Sequence, residues 1–392
     1  MTQLHTSLDQ HIHVRGHMPA LDGLRGLAVI MVMLYHFSIT GIKPDNLLET
    51  VYYGAVFTGW MGVDLFFVLS GFLISGILLD TRDTANYFRV FYARRFVRIF
   101  PLYYGFLAIV IFVLPLFPLP VSVVQELDTV RQGQVWLWLY ISNVHTFLHG
   151  EKVAPGFGHF WSLAVEEHFY MVWPLVIWAC PRGMLMRVCV ILFLSSGVIR
   201  WLLLLGGWSD YVVHTFTLAR LDQLAAGAWV ACLLRGSLDH ATVLRWCPGV
   251  LAASAMAAAV FILTPLGKQD FGMVLTHSIL SATFCSLLLL AASSTPSSSR
   301  LGRLFHHPAL RHLGTISYGL YVFHVPLRGL ILRLVPKPIP ILGTELLWQA
   351  GFILIAFFVS LACAELSWHL YEKHWLKLKR HMQYRTALND VG

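Results

Sequence analysis

The sequence predicts an all-α, polytopic membrane protein with about ten transmembrane helices and with both termini in the cytoplasm. Hydrophobic residues make up 57% of the 392 residues and charged residues only 12%, whereas an ordinary soluble domain has about 25% charged residues. Mean hydropathy is +0.66. Apolar runs of membrane-spanning length recur along the chain, and the basic residues collect in alternate loops between them. An ordinary soluble domain is therefore excluded.

Ten apolar runs are long enough to cross a bilayer, and several leave room for tilt. They lie near residues 22–41, 60–80, 99–117, 160–180, 187–206, 218–235, 249–266, 271–292, 313–335 and 342–370.

The spans predict a single membrane domain over residues 21–376, between a cytoplasmic N-terminal tail (1–20) and a cytoplasmic C-terminal tail (377–392). The first tail is polar and rich in histidine, and it lacks the apolar core of a signal peptide. We therefore expect residue 1 to be kept in the mature protein.

A further apolar stretch, 134–149, is short and contains Asn143 and two histidines. It fits a span, a re-entrant segment or a surface helix. If it does not cross, five basic loops fall on the same side as the N-terminus: 80–98, 181–187, 235–245, 293–312 and 373–380. The positive-inside rule makes that side cytoplasmic. A crossing would move the later basic loops outside, which the charge bias opposes.

The six cysteines lie in or beside apolar stretches, without a CxxC pair or a metal-like spacing. We expect neither disulfides nor a metal site. The formal net charge of +8 comes from the basic loops, and membrane orientation explains it better than nucleic-acid binding does.

The first span carries Arg25 near one end and His36 near the other. They are eleven positions apart, which is within about 20° of three full helical turns, so both side chains share one face. His36 lies about 16 Å further along the helix than Arg25. Arg25 is close enough to the span end for snorkelling to explain it, whereas His36 lies deeper and indicates function.

The stretch 87–104 presents a group of arginines on one helical face, because Arg98 lies three positions after Arg95 and four after Arg94. Planar guanidinium groups suit the recognition of phosphate. The alternative is a basic anchor that contacts anionic lipid headgroups.

The stretch 158–175 carries His159 and Glu166 near one face, together with Tyr170 and Trp173. Glu167 lies about 100° around the helix, so only one of the two glutamates points squarely inward, and we expect Glu166 to do so. Polar residues inside a span are costly and indicate a functional site.

Other polar residues in the spans are weaker candidates. The second span holds Asp64 and Ser70, with glycines that permit close helix packing. The ninth span holds His324 near its middle and Tyr318 nearer the cytoplasm. Arg220 and Asp222 fit an ion pair within one helix.

Five segments, in this order, resemble the motifs of the acyltransferase-3 family of integral membrane acyltransferases: LDGLRGLAVIMVMLYHF, GVDLFFVLSGFLI, RRFVRIFPLYY, FWSLAVEEHFY and ISYGLYVFH. The resemblance runs from residue 21 to about 375. The family's arginine and histidine with ten intervening residues match Arg25 and His36, and its arginine-x-x-arginine motif matches Arg95 and Arg98. YEKHW stands where members often have a glutamate followed closely by proline, which leaves the role of Glu372 open.

The resemblance implies an acetyl-CoA-dependent O-acetyltransferase of a bacterial cytoplasmic (inner) membrane. Such an enzyme moves an acyl group, most commonly acetyl, from cytoplasmic acyl-CoA to a hydroxyl of an extracytoplasmic or membrane-bound glycan, or of a related small molecule. It implies polysaccharide modification, and no metal.

We expect Arg25, Arg95 and Arg98 to bind the CoA phosphates and His36 to act as the general base. Glu166 is the predicted carboxylate that orients the His36 imidazole. Four residues are weaker candidates for substrate or oxyanion contacts: Ser70, Asp64, Tyr318 and His324.

Two other function classes fit parts of the sequence. A transporter or flippase for an anionic lipid or glycan explains the buried charges, but not the set of motifs. A pH-sensing receptor explains the nineteen histidines, although many of them lie in the tail and loops. Direct transfer and transfer through an acyl-histidine intermediate both remain open, as do the acyl chain length, the oligomeric state and the acceptor, which we expect the outer loop 118–158 to select.

Overall fold

The computed structural model describes residues 16–38, 46–236, 239–268, 270–335 and 344–385, and over these ranges the chain forms helices and no β-strand. The predicted all-α class is confirmed. Most of the predicted N-terminal tail and the last part of the C-terminal tail lie outside the described residues.

The described residues form eighteen α-helices, some of them extended or preceded by a short segment of 3₁₀- or π-helix. They are α1 Pro19–Phe37, α2 Leu47–Phe57, α3 Met61–Thr81, α4 Tyr87–Ala108, α5 Val121–Gln132, α6 Gln134–Trp138, α7 Ser142–His149, α8 Trp161–Ala179, α9 Arg182–Leu205, α10 Asp210–Thr215, α11 Leu221–Leu233, α12 His240–Leu263, α13 Asp270–Ala292, α14 Arg300–Phe305, α15 Pro308–Thr315, α16 Ser317–Leu334, α17 Leu346–Ser367 and α18 Lys373–Leu376.

Seven helical segments of the described chain are long and apolar enough to cross a membrane. They are Pro19–Phe37, Leu47–Thr81, Tyr87–Leu116, Arg182–Leu205, His240–Leu263, Phe271–Ala292 and Leu346–His381. The three other predicted spans correspond to α8, α11 and α16, which are helical but shorter or more polar. The chain is therefore an integral membrane protein, while the count of ten crossings and the orientation of the termini remain predictions.

The stretch 134–149 forms two short helices, α6 and α7, of five and eight residues. They are separated at Tyr140, whose φ is +56°. A crossing needs about 20 helical residues, so neither helix spans a bilayer. This agrees with the alternative in which the stretch does not cross.

Burial separates the central helices from the peripheral ones. The apolar windows of α1 and of the segment containing α3 are 56% and 72% buried, whereas those of α9 and α12 are 22% and 11% buried. Large apolar side chains on the peripheral helices face outward, as lipid-facing surfaces do. The two helices that carry Arg25, His36, Asp64 and Ser70 are therefore central.

Glycines bring helix backbones into direct contact at the centre. A Cβ atom on Gly71 of α3 would lie 2.0 Å from the carbonyl oxygen of Leu224 on α11, and a Cβ on Gly227 of α11 would lie 2.0 Å from that of Val68. Only glycine allows these backbones to approach so closely. The expectation that the glycines of residues 60–74 permit close packing is confirmed.

The last described residues lie against the start of α4. The Ala85 N–H donates to the carbonyl of Arg385 (3.2 Å), and Arg94 Nε donates to the carbonyl of Met382 (2.8 Å). We call the end of the bundle that holds Arg25, the start of α4 and residues 377–385 the lower end, and the opposite end the upper end. The predicted topology makes the lower end cytoplasmic.

Candidate active site

Three histidines from three helical segments meet near the upper end of α1. The ring centroids of His36 and His324 are 4.9 Å apart, those of His159 and His324 are 5.1 Å apart, and those of His36 and His159 are 6.4 Å apart. His324 is fully buried and His159 is 4% exposed. We call these three residues the histidine cluster.

The hydrogen bonds of the cluster define a proton arrangement. His324 Nδ1 lies 2.7 Å from the carbonyl oxygen of Tyr321, so this nitrogen carries the proton and donates it. His324 Nε2 then accepts from His36 Nδ1 at 3.1 Å, and the same Nδ1 lies 3.0 Å from the Val32 carbonyl. Both contacts use Nδ1, so His36 Nε2 has no hydrogen-bond partner among the described residues and is free to accept a proton.

Hydroxyl groups fix the relative positions of the histidines. The Tyr321 hydroxyl donates to the carbonyl of His159 (3.1 Å), and Ser162 Oγ donates to the same carbonyl (3.1 Å). The Ser162 and Tyr321 hydroxyls also contact each other. These bonds connect the start of α8 to α16 directly beside His324, so the histidine cluster is held from two helices at once.

Glu166 lies in a separate polar group. Ser70 Oγ donates to Glu166 Oε1 (2.5 Å) and is 2.5 Å from the Tyr170 hydroxyl. Arg25 and Arg95 lie within electrostatic range of this carboxylate. Within the described ranges no hydrogen bond joins Glu166 to His36. The geometry therefore does not support the expectation that Glu166 orients His36, because His324 occupies that position.

The second glutamate is also buried. Glu167 is 8% exposed and borders a smaller cavity of about 450 Å³ between α4 and α8, together with Arg95 and Tyr170. The sequence expectation that only Glu166 points inward is wrong, because Glu167 is the less exposed of the two glutamates. Glu166 bonds to the central helix α3. Glu167 faces a different part of the protein interior.

Positive side chains gather at the lower end. Arg98 lies within electrostatic range of Arg25, Arg95 and Glu372. Arg25 also pairs with Asp22 at 3.5 Å, and Arg95 lies over the Tyr170 ring with 5.9 Å between its Cζ and the ring centroid. The structure thus brings Arg25, Arg95 and Arg98 together, and we call them the arginine cluster.

Two further residues of the lower end join this cluster. Glu372, which is 6% exposed, accepts a hydrogen bond from Ser367 (3.0 Å) and lies near Arg98. Lys379 lies within electrostatic range of all three arginines of the cluster. Lys379 and the arginine cluster thus lie close together, and clustered cations favour the binding of a multiply charged anion.

Tyr318 and Asp64 are held by other protein groups. The Tyr318 hydroxyl donates to the carbonyl of Ile99 (3.0 Å), so it connects α16 to α4. Asp64 forms an ion pair with Arg220, and both side chains are fully buried. Neither side chain lies free in the cavity as a substrate or oxyanion contact would.

Arg220 and Asp222 do not pair with each other, so the prediction of an ion pair within one helix is wrong. Arg220 pairs with Asp64 of α3, and Asp222 pairs with Arg200 of α9 at 2.7 Å. His277 Nδ1 lies 2.6 Å from Arg220 Nη1. The sequence rule failed because each side chain finds a partner on a neighbouring helix.

A cavity of about 2100 Å³ lies at the upper end. His36 and His159 border it, as do residues of the loop that contains α5 to α7, such as Glu126 and Lys152. His277 borders it from the side of the buried ion pairs. The cavity is large enough for a sugar or an oligosaccharide beside His36.

Sequence reasoning overlooked several residues of these groups. His277 lies within the apolar run 271–292, where the rule applied to His36 would have identified it. Tyr321 lies one turn before His324, and the same feature, a polar group inside an apolar run, would have identified it. Lys379 carried no signal, because its approach to the arginine cluster depends on how the end of the chain folds back.

Comparison with known proteins finds similar bacterial O-acetyltransferases. The chain is 29% identical over 373 residues to the peptidoglycan O-acetyltransferase OatA of Listeria monocytogenes, covering 91% of this chain and 56% of that relative. It is 30% identical over 385 residues to the putative peptidoglycan O-acetyltransferase YrhL of Bacillus subtilis, covering 91% and 54%. The O-acetyltransferase OatA of Staphylococcus aureus is 26% identical over 329 residues, covering 79% and 50%.

This chain therefore spans about half the length of the curated relatives it matches. No solved structure matches it. The model of the acyltransferase domain family matches residues 18–365, which is nearly the whole chain. With five motifs in order and a family match of this extent, the chain belongs to the acyltransferase-3 family of integral membrane acyltransferases.

Proposed function

We propose that this chain moves an acetyl group from cytoplasmic acetyl-CoA to a hydroxyl of an extracytoplasmic glycan. The observation that carries the proposal is the arrangement along α1: Arg25 belongs to a cation cluster at the lower end, and His36 borders the large cavity at the upper end. Because three relatives are named as O-acetyltransferases, two of them for peptidoglycan, a peptidoglycan sugar is the first acceptor to test.

The donor site is the arginine cluster. Guanidinium groups bind phosphate oxygens in pairs, and CoA carries three phosphates. Arg25, Arg95 and Arg98 bind these phosphates, and the pantetheine arm extends along the face of α1 towards His36. Its extended length is similar to the distance of about 16 Å along the helix between Arg25 and His36.

Glu166 then acts as a positioning residue for the donor site. Its carboxylate is held by Ser70 and lies within electrostatic range of Arg25 and Arg95. A carboxylate at this position holds the guanidinium groups in place before the phosphates arrive, which lowers the ordering cost of binding. This role replaces the predicted contact with His36.

The acyl transfer occurs at His36. Its Nε2 removes the proton of the acceptor hydroxyl while the hydroxyl oxygen attacks the thioester carbonyl carbon. The C–S bond breaks as the tetrahedral intermediate collapses, and the CoA sulfur leaves with the proton held on Nε2. His324 accepts the hydrogen bond from Nδ1 and stabilises the imidazolium form between these two steps. The acyl group is thereby exchanged between sulfur and oxygen with no other reactant.

A two-step route through an acetylated His36 is tested separately. In that route His36 Nε2 attacks the thioester carbonyl carbon, the C–S bond breaks and the CoA thiolate leaves; the acceptor oxygen then attacks the acetyl carbon and the C–N bond to His36 breaks. Wild-type protein incubated with labelled acetyl-CoA then retains label without an acceptor. In the direct route no label is retained.

The test is release of free thiol from acetyl-CoA by purified protein with peptidoglycan sugars as acceptors. We expect His36→Ala to lose about 10²-fold or more in turnover while still binding CoA. We expect Arg95→Ala/Arg98→Ala to lose CoA affinity. The matched controls are His374→Ala, at an exposed histidine, and Arg89→Ala, at an exposed arginine of the same helix α4. The proposal fails if no variant differs from wild type, or if CoA does not bind.

A further inference from the structure

The upper cavity carries two positive side chains close to the histidine cluster. Lys152 and Arg328 both border the cavity that His36 borders. Of the charged side chains in the described ranges, these two act electrostatically on the His36 ring. The acceptor hydroxyl must approach the same ring, so it enters a positive environment.

Neither cation is neutralised by a carboxylate of the described chain. No Asp or Glu oxygen of the described residues lies within salt-bridge distance of Lys152 or Arg328. Lys152 Nζ instead lies over the Tyr211 ring, 5.2 Å from its centroid. Arg328 is half-buried, and its buried Nε has no hydrogen-bond partner in the described part of the chain. A buried guanidinium N–H without a partner is costly unless a ligand supplies the acceptor atom.

A neighbouring arginine shows the contrast. Arg333 lies five residues further along α16 and borders the same cavity, but it forms an ion pair with Glu126. Two carboxylates, Glu151 and Asp210, also border the cavity, and neither pairs with Lys152 or Arg328. Lys152 and Arg328 are therefore cavity-lining cations that act on the His36 ring and have no carboxylate partner among the described residues.

We propose that Lys152 and Arg328 form an anion-binding subsite, and that the acceptor is a sugar with a carboxylate or phosphate near the hydroxyl that is acylated. This inference rests on the proposed function, which supplies the acceptor hydroxyl and the catalytic His36. Arg328 binds the anionic group through its fork of N–H donors, and Lys152 at the exposed rim attracts it into the cavity. A neutral sugar of the same size makes neither contact.

The test measures sugar binding to the detergent-purified protein by calorimetry, so that no acyl donor is needed. N-acetylmuramic acid is compared with its neutral carboxamide, and N-acetylglucosamine 1-phosphate with N-acetylglucosamine. We expect at least one anionic sugar to bind about tenfold or more tightly than its neutral partner, and this preference to fall as salt is added. Whichever pair shows the preference identifies the anion as carboxylate or phosphate.

Variants locate the subsite. Arg328→Gln and Lys152→Gln remove the preference for the anionic sugar, Arg328→Lys restores part of it, and Arg333→Gln, the paired control, leaves it unchanged. Equal affinity for charged and neutral sugars, or a preference that survives Arg328→Gln, overturns the subsite. Failure of acetyl-CoA turnover in the separate thiol assay would instead contradict the proposed function, while the binding comparison still gives its own answer.

Discussion

The protonation state of His36 follows from two acceptors on its Nδ1. The Val32 carbonyl can only accept, and His324 Nε2 also accepts because His324 Nδ1 donates to the Tyr321 carbonyl, so the proton of His36 lies on Nδ1. The remaining nitrogen of His36 is then a base without further rearrangement. A neutral imidazole thus has the orienting role that a carboxylate has in many triads.

Replacement of His324 tests this arrangement. We expect His324→Ala to reduce kcat by roughly 10²-fold or more with little change in CoA affinity, because His36 loses the imidazole that accepts from its Nδ1 and stabilises its imidazolium form. Glu166→Gln, in contrast, mainly raises KM for acetyl-CoA. Steady-state kinetics of both variants separate the two roles. If His324→Ala leaves kcat unchanged and Glu166→Gln lowers kcat strongly, Glu166 rather than His324 orients His36.

At the residue scale, local spacing was predictable and long-range pairing was not. Helical periodicity placed Arg25 and His36 on one face of α1, and it grouped the arginines of α4 on one face. The contact between His36 and His324 joins α1 to α16, and no periodicity within one helix contains that information. The expected Glu166 contact came from the chemistry of triads, and the fold instead places Glu166 beside Ser70.

At the element scale, the contact between α3 and α11 depends on the absence of side chains. We expect Gly71→Ala to destabilise the protein by about 1–3 kcal/mol or more, because the new Cβ would collide with the Leu224 carbonyl. Gly351→Ala on α17 is the control, since its Cβ would meet nothing within 4 Å and alanine favours the helix. Thermal unfolding in detergent compares them. Equal melting temperatures would mean that the backbones are not in contact.

The ion pair between Asp64 of α3 and Arg220, which directly precedes α11, gives a second prediction at this scale. Asp64→Asn leaves the fully buried Arg220 without its counter-charge, and breaking such a pair costs about 3–5 kcal/mol. The control is Asp83→Asn, which breaks a surface ion pair: the Asp83 side chain is 81% exposed and that of its partner Arg182 is 64% exposed. We expect this variant to leave the melting temperature unchanged. If Asp64→Asn melts like wild type, the buried pair contributes nothing to helix association.

Apolar runs predicted every long helix, but they did not determine which helices cross the membrane. The runs at 160–180, 218–235 and 313–335 correspond to α8, α11 and α16. These helices carry polar residues because much of their surface faces the protein, where partners such as Ser70 and Arg200 satisfy them. Mean hydropathy counts these polar residues as if they faced lipid. It therefore cannot decide whether a helix packed inside a bundle crosses the membrane.

At the scale of the whole molecule, the two ends have different chemistry. The lower end collects Arg25, Arg95, Arg98 and Lys379, whereas the upper end contains the histidine cluster and the cavity. The sequence predicted this polarity through the separation of Arg25 and His36 along one helix. The size of the cavity and its border from the loop 118–158 required the fold, because short helices there pack over the bundle in a way that composition does not encode.

The most direct test of the central claim is the sidedness of transfer. Proteoliposomes are loaded with labelled acetyl-CoA, and a peptidoglycan sugar is added outside only. We expect label to appear on the external sugar with wild-type protein, and we expect His36→Ala to abolish this transfer while vesicle integrity is unchanged. Transfer that occurs only when donor and sugar share one compartment, or export of intact acetyl-CoA without acetylation, would contradict it.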